Sequence, residues 1–157
     1  MPLPSRAMMA FTIGLGVGVL LWTLLEYVLH RFVFHGLQPF RKWHALHHQR
    51  PTALIFTPTL LSALVIAGLV FVPALLLGNV WTACAFTLGV QTGNLGYSII
   101  HHGIHHWRAD SAWLKRRKLW HAVHHRGTTA RHCFGVTTSF WDHVFRSAPP
   151  ARERAGD

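Results

Sequence analysis

Three stretches of this chain carry almost no polar side chains, and they leave few folds open. Ala7–Leu25 holds only Thr12 and Thr23 as polar residues and meets its first charge at Glu26. Leu54–Leu77 and Val80–Ile100 contain no charged residue. Each is close to or above the roughly 20 residues that a helix rising about 1.5 Å per residue needs to cross hydrocarbon. Burying three such helices in a soluble protein takes a large polar shell. A chain of 157 residues, 50% hydrophobic and 13% charged, has no such shell to spare. The reading is an all-α integral membrane protein, a single domain over residues 1–157 with about three transmembrane helices near 7–29, 54–77 and 80–100. Residues 30–53 and 101–147 then form a helical cap on one membrane face, and 148–157 a frayed tail. A cleaved signal peptide fits poorly, because no small-x-small site precedes Trp22 and the apolar stretch runs straight into Glu26 and His30.

The net charge of +10 comes from 15 basic and 5 acidic residues. Only Arg6 precedes the first apolar stretch; Arg31, Arg41, Lys42 and Arg50 follow it, and the remaining basic residues follow the third. Gly78-Asn79 joins the second and third stretches by a tight uncharged turn. The positive-inside bias therefore predicts an amino terminus outside and both basic segments, with every histidine, on the cytoplasmic side. Basic charge so placed is a signature of topology and suits anionic lipid, so no nucleic-acid partner is expected. Cys84 and Cys133 form no CxxC and no disulfide framework.

Turn and cap residues predict short helices between and after the spans. The first helix is expected to run on to His35, with Gly36 capping it. Pro39 marks a turn, Arg41–Gln49 a short helix stopped by Pro51, and Pro58 and Pro73 the first turn and a kink of the second span. The third helix continues past Ile100, a further helix covers about Trp113–His125 after Asp110-Ser111, and a last one lies around Phe140–Phe145 beyond a Gly127-Thr-Thr loop. Gly14, Gly16 and Gly18 have the spacing of a close-packing face.

On this scaffold the chain writes WHALHHQR at Trp43–Arg50 and WHAVHHRG at Trp120–Gly127. The flanks do not match, so this is one local solution used twice and not a repeat. In a helix, positions i, i+3 and i+4 share a face, so His44, His47 and His48, and again His121, His124 and His125, present three imidazoles in one direction. His101 and His105 are an i, i+4 pair. His30 and His35 differ: five residues are about 500° of α-helical rotation, a divergence of roughly 140°. They serve one site only if the helix ends or loosens there, which Gly36 favours.

Neutral imidazole suits iron, copper and zinc. One tetrahedral zinc takes about four ligands, so ten clustered histidines suit two metal ions. No HExxH is present, and the few carboxylates cannot form the Glu and ExxH set of soluble di-iron bundles. His102 and His143 read as interfacial fillers, while His106 and His132 stand beside the set as weaker candidates. Ligand histidines are oriented by partners on their other nitrogen. Glu26, one turn before His30, Tyr97, one turn before His101, and Asp142 in FWDHVF are the candidates for that role, a helix cap being the alternative for Asp142.

EYVLHRFVFH, HALHH, YSIIHHGIHH, HAVHH and FGVTTSFWDHVF, in that order, resemble the fatty acid hydroxylase/sterol desaturase superfamily, and most closely its fatty acid 2-hydroxylases. The likeness covers about Glu26–Ser147. It implies metal ligands at His30, His35, His44, His47, His48, His101, His105, His121, His124 and His125. It also implies a non-haem dinuclear centre, with iron as the metal, that inserts oxygen from O2 into unactivated C–H bonds of lipids. Many fatty acid 2-hydroxylases carry a fused cytochrome b5 domain with an HPGG motif, which this sequence does not contain, and typically two spans before HRxxFH where one is read here. Electrons are then expected from a separate cytochrome b5-like or ferredoxin-like donor, its acidic surface docking on the basic tail.

The expected function is O2-dependent hydroxylation of a fatty acyl chain in a membrane lipid, with desaturation as a related outcome of the same chemistry. A carotenoid ring hydroxylase shares similar histidine spacing, and the terminal FGVTTSFWDHVF favours the acyl-lipid branch. A histidine-lined metal transporter or sensor needs polar residues through its spans, whereas here they stop near one face.

Overall fold

Periodicity and caps account for the elements seen in the computed structural model, which describes residues 5–53, 59–126 and 132–150. These are helical, with no strand among them: α1 (Ser5–Val28), a π-helical turn (Leu29–Phe34), α2 (Phe40–Gln49), α3 (Thr59–Leu77), α4 (Val80–His106), α5 (Ala112–His125) and α6 (Phe140–Val144). Side-chain caps start two of them. Asn79 Oδ1 accepts from the amides of Trp81 and Thr82 at 3.1 Å to open α4, and Ser111 Oγ accepts from Leu114 N at 3.1 Å to open α5. Pro73 sits inside α3; Pro58 and the Gly127-Thr-Thr segment lie outside the described residues.

The chain divides into two compact units, Met1–Thr23 with Phe56–Gly96, and Leu24–Ile55 with Tyr97–Asp157. In the first, α1 and α4 cross at glycine. A Cβ on Gly18 would press on Phe86 O and stand 2.9 Å from Val90 N, and one on Gly93 would strike the Trp22 ring. Gly14 lies 3.3 Å from Ala85 Cβ by the same measure, while Gly16 faces nothing within 4 Å, so the expected glycine face is made by two of its three members. Ala83, Ala85 and Val90 are fully buried in this unit, and Gln91 Nε2 donates to Ala63 O at 2.6 Å. Its outer surface is apolar, with Leu69 72% and Leu77 89% exposed. Among the described residues one helical stretch, Arg6–Phe34, is long and apolar enough to cross a membrane, and α3 adds a shorter apolar run, Ala63–Leu77.

The second unit is built on polar as well as apolar burial. Tyr27 is buried, stacks on Phe145 with ring centroids 5.2 Å apart, and shares a 2.8 Å hydrogen bond with Ser147 Oγ. The segment after α6 folds back: Asp142 O accepts from Ser147 N at 2.8 Å and Ala148 N at 3.0 Å, and Cys133 N donates to Ser147 O at 2.9 Å. Pro149 is consequently buried, while 151–157, most of the tail expected to fray, lie outside the described residues.

Candidate metal centre

The helix that should run to His35 does so, but its last turn is wound differently. α1 gives way at Leu29 to π-helical bonding, in which His35 N donates to His30 O at 3.2 Å, five residues back. That i→i+5 register brings together two residues that a regular helix would point apart. The His30 and His35 rings stack at 5.3 Å and 30°. The three i, i+4 pairs are set differently. His44 with His48, His101 with His105 and His121 with His125 have centroids 4.7, 4.8 and 4.5 Å apart at interplanar angles of 74°, 76° and 62°. Gly36 follows the π turn, and a Cβ there would run into Phe32 O.

All ten histidines singled out by spacing come together, in two groups of five. His30, His35, His44, His48 and His124 form the first group; His47, His101, His105, His121 and His125 form the second. Within each, one nitrogen from every ring lies within 4.8 Å of the others. The split runs across the HxxHH motifs. α2 sends His44 and His48 to the first group and His47 to the second, while α5 sends His121 and His125 to the second and His124 to the first. Two copies of one motif thus exchange their middle histidines.

The proton inventory of the first group suits a cation. His30 Nδ1 lies 2.6 Å from Phe134 O and His124 Nδ1 3.0 Å from His132 O. A carbonyl only accepts, so both rings carry their proton on Nδ1 and present a bare Nε2. Those bare nitrogens face other Nε2 atoms: His30 to His44 at 3.0 Å, and His124 to His35 at 3.0 Å and His48 at 3.1 Å. In the second group His121 Nε2 stands 3.2, 3.1 and 3.0 Å from those of His101, His105 and His125. His47 Nε2 is buried with no hydrogen-bond partner. One N–H per neutral ring cannot satisfy such convergence, whereas a metal ion accepts every lone pair at once. Burial pushes His35, His48 and His105 down to about 4 and His125 to about 3, with neighbouring histidines reinforcing it at the last three. Burial likewise holds His44, His47, His101, His121 and His124 below the ordinary range. The rings are therefore neutral at physiological pH, as ligands must be.

Neither carboxylate expected beside the histidines bonds to one. Glu26 Oε1 accepts from Val136 N at 2.6 Å and Thr137 N at 2.9 Å, and Oε2 from Thr137 Oγ1 at 2.5 Å. Asp142 does not cap α6. Its Oδ1 accepts from Phe134 N and Ser147 Oγ, both at 2.8 Å, and its Oδ2 from Gly135 N at 3.0 Å and Trp120 Nε1 at 3.1 Å. The acids hold a loop, and that loop's carbonyls hold the histidines. Phe134 O and His132 O are invisible to a sequence reading, since any residue carries a carbonyl; the only trace is the FG before WD in FGVTTSFWDHVF. Tyr97 does meet its histidine, its ring stacked on His101 at 5.5 Å and 18°. His106 belongs to neither group and stacks on His102 at 4.3 Å, while His132 contributes its backbone oxygen, not its ring.

The fatty acid hydroxylase family profile matches residues 15–147. The chain is 36% identical over 149 residues to a dihydroceramide fatty acyl 2-hydroxylase of Arabidopsis thaliana, covering 88% of this chain and 61% of that protein. It is 32% identical over 152 residues to the fatty acid 2-hydroxylase of Rattus norvegicus, covering 88% of this chain and 40% of the rat protein. Among solved structures, the visible hydroxylase domain of full-length scs7p superposes with a TM-score of 0.76 at 28% identity, over 91% of this chain and 57% of that one. The chain thus spans between two-fifths and about three-fifths of the relatives named here. With its ordered histidine motifs and the profile match across most of its length, the chain belongs to the fatty acid hydroxylase family.

Proposed function

We propose that the chain is a membrane-embedded di-iron hydroxylase that places one oxygen atom from O2 on the 2-position of a fatty acyl chain in a membrane lipid. The observation that carries this reading is the sorting of ten neutral imidazoles into two groups of five with bare nitrogens converging. The substrate class follows from relatives that bear the names dihydroceramide fatty acyl 2-hydroxylase and fatty acid 2-hydroxylase. When bound, the iron pair supplies the O2 activation that side chains alone do not provide.

The ten histidines hold the metals, five to each position, and neither group includes a carboxylate. Nδ1–H bonds to Phe134 O and His132 O fix the tautomer and tilt of His30 and His124. Tyr97 keeps the His101 ring in plane against its own. The reaction consumes a pair of electrons and two protons for each hydroxyl formed, the second oxygen atom leaving as water. A separate cytochrome b5-like or ferredoxin-like carrier supplies the electrons, and the exposed Arg41 and Lys42 of α2 and Lys115 and Arg116 of α5 give an acidic carrier a basic surface to meet. The apolar stretches near 7–29, 54–77 and 80–100 are read as spans, with the amino terminus outside and the histidine-bearing cap in the cytoplasm.

The test is expression in a host that lacks hydroxylated lipids, with total lipids compared by mass spectrometry between the parent and a His121→Ala/His124→Ala variant. That variant removes one donor from each group. A 2-hydroxylated acyl species made by the parent alone supports the reading. The same species made by the variant, or a metal-loaded parent that makes none with a donor supplied, defeats it.

A further inference from the structure

The two groups are not held alike. In the first, His30 and His124 have their outer nitrogens tied to backbone carbonyls. In the second, His121 Nδ1 and His125 Nδ1 are buried without a hydrogen-bond partner. The carbonyls that tie the first group belong to His132 and Phe134, on the loop whose amides run into two buried carboxylates. Phe134 N and Gly135 N end on Asp142, and Val136 N and Thr137 N on Glu26. N–H and C=O point opposite ways across one trans peptide, so Gly135 N on Asp142 turns Phe134 O toward His30, whereas His132 O shares its peptide with Cys133 N, which donates to Ser147 O. Cys133 takes a left-handed φ of 61° at the start of this segment. Gly135 has no room for a side chain, since a Cβ would press on Thr138 O and lie 3.0 Å from Asp142 Oδ2.

We infer that Glu26 and Asp142 are positioning residues for one metal position only: by clamping the amides of residues 134–137 they aim Phe134 O at His30, and so set the metal affinity of the first group independently of the second. This rests on the reading of the ten histidines as ligands. The two acids differ in what they tolerate. At Glu26 one oxygen takes both amides and the other takes a hydroxyl, which can turn to accept instead, so glutamine fits. At Asp142 each oxygen faces an N–H as well as another donor or indole, so asparagine would set its NH2 against a donor.

Each position is isolated by removing the other: the His101→Ala/His105→Ala chain keeps the first group, and the His44→Ala/His48→Ala chain keeps the second. Co(II) affinity is measured on the purified full chain by visible absorption, in competition with a chelator. In the chain that keeps the first group, Glu26→Ala and Gly135→Ala each weaken Co(II) binding by about 10–100-fold, as loss of a ligand's outer partner does elsewhere, and Glu26→Gln restores it. In the chain that keeps the second group, none of the three changes the affinity. Equal losses in both backgrounds would mean that the loop only supports folding, and unchanged affinity in the first would mean that Phe134 O does not tune His30; either overturns the inference. A parent chain that binds no Co(II) would instead defeat the ligand reading on which it stands. Gly135→Ala alters neither acid, so a Glu26→Ala chain that fails to fold does not shield the inference.

Discussion

The crosswise division of the HxxHH motifs makes a prediction that a single shared site does not. His44 and His48 lie in the first group and His47, between them on the same helix, in the second. Structural zinc sites with about four protein ligands bind with roughly 10–16 kcal/mol, or about 2.5–4 kcal/mol per ligand. At about 1.4 kcal/mol per tenfold, His47→Ala should weaken one ion by about 10²–10³-fold and leave the other untouched. Removing His44 and His48 together should cost the other ion about 10⁴–10⁶-fold, which at micromolar metal is loss of that ion. The assay is Zn(II) per chain after equilibrium dialysis of purified protein over a range of free metal. At low free metal the His44→Ala/His48→Ala chain keeps one ion, the His47→Ala chain keeps the opposite one, and the triple variant keeps neither. If the triple variant still retains one full equivalent at the same free metal, the three histidines share an ion and the division is wrong.

Two further outcomes follow from other parts of the structure. Gly18→Ala places a methyl 2.9 Å from Val90 N and 3.0 Å from Gly89 Cα, backbone atoms that cannot swing away, whereas Gly16→Ala meets nothing within 4 Å. Helix propensity favours both equally, so the overpacking cost of about 1–3 kcal/mol alone separates them, a gap of about 2–12 °C in thermal unfolding with Gly18→Ala the lower; equal melting points would contradict the close crossing. In the metal-free chain, His35, His48 and His105 bind protons near 4 when folded but near 6.5 when unfolded. The unfolded chain therefore takes up more protons as pH falls, so stability is level above about 6.5 and declines from there toward about 4. A melting temperature of metal-free protein that stays flat between about pH 7.5 and pH 5 would rule this out.

Spacing made much of the centre legible. HALHH, HAVHH and the His101/His105 pair needed only the 3.6-residue period to show which rings share a face, and α2, α4 and α5 carry them on regular helices. What spacing could not give was the partition, because i+3 and i+4 histidines lie on one broad face whether they serve one point or two. The pair His30/His35 announced a break in the helix without naming it; a π turn is a change in hydrogen-bond register that no residue type encodes. Glu26 and Asp142 stand out in the sequence as carboxylates near histidines, and in the structure both accept from backbone amides. A carboxylate meets backbone amides as readily as imidazoles, and amides leave no mark in a sequence. The charge-free stretches gave the helices, but hydropathy alone does not separate a helix that lines a membrane from one, like α4, that also carries Gln91 and Asn94.

The exchange of histidines between α2 and α5 also says what keeps α2 folded. α2 is ten residues long, its histidines are half-buried and none of its residues is fully buried, and its N-terminus has no side-chain cap. Isolated helices shorter than about 12–15 residues are marginal in water, and most helical stability in proteins comes from a buried apolar face. The apolar face of α2 is only partly covered: Phe40 meets Phe34 with ring centroids 6.4 Å apart, and Phe40, Trp43 and Leu46 each keep 39–45% exposure. What it has besides is three imidazoles, each reaching a group completed by other elements. α5 differs, burying His121, Val123 and His124 and starting from the Ser111 cap. Metal binding should therefore order α2 far more than α5, because ligand binding to the folded form alone stabilises whatever must fold to make the site. Amide hydrogen exchange on the metal-free and Zn(II)-loaded chain tests this by residue. Protection over Phe40–Gln49 should rise by orders of magnitude on loading, and protection over Ala112–His125 by much less. If α2 is equally protected without metal, packing against its surroundings holds it, and the histidines are passengers on a helix that was already formed.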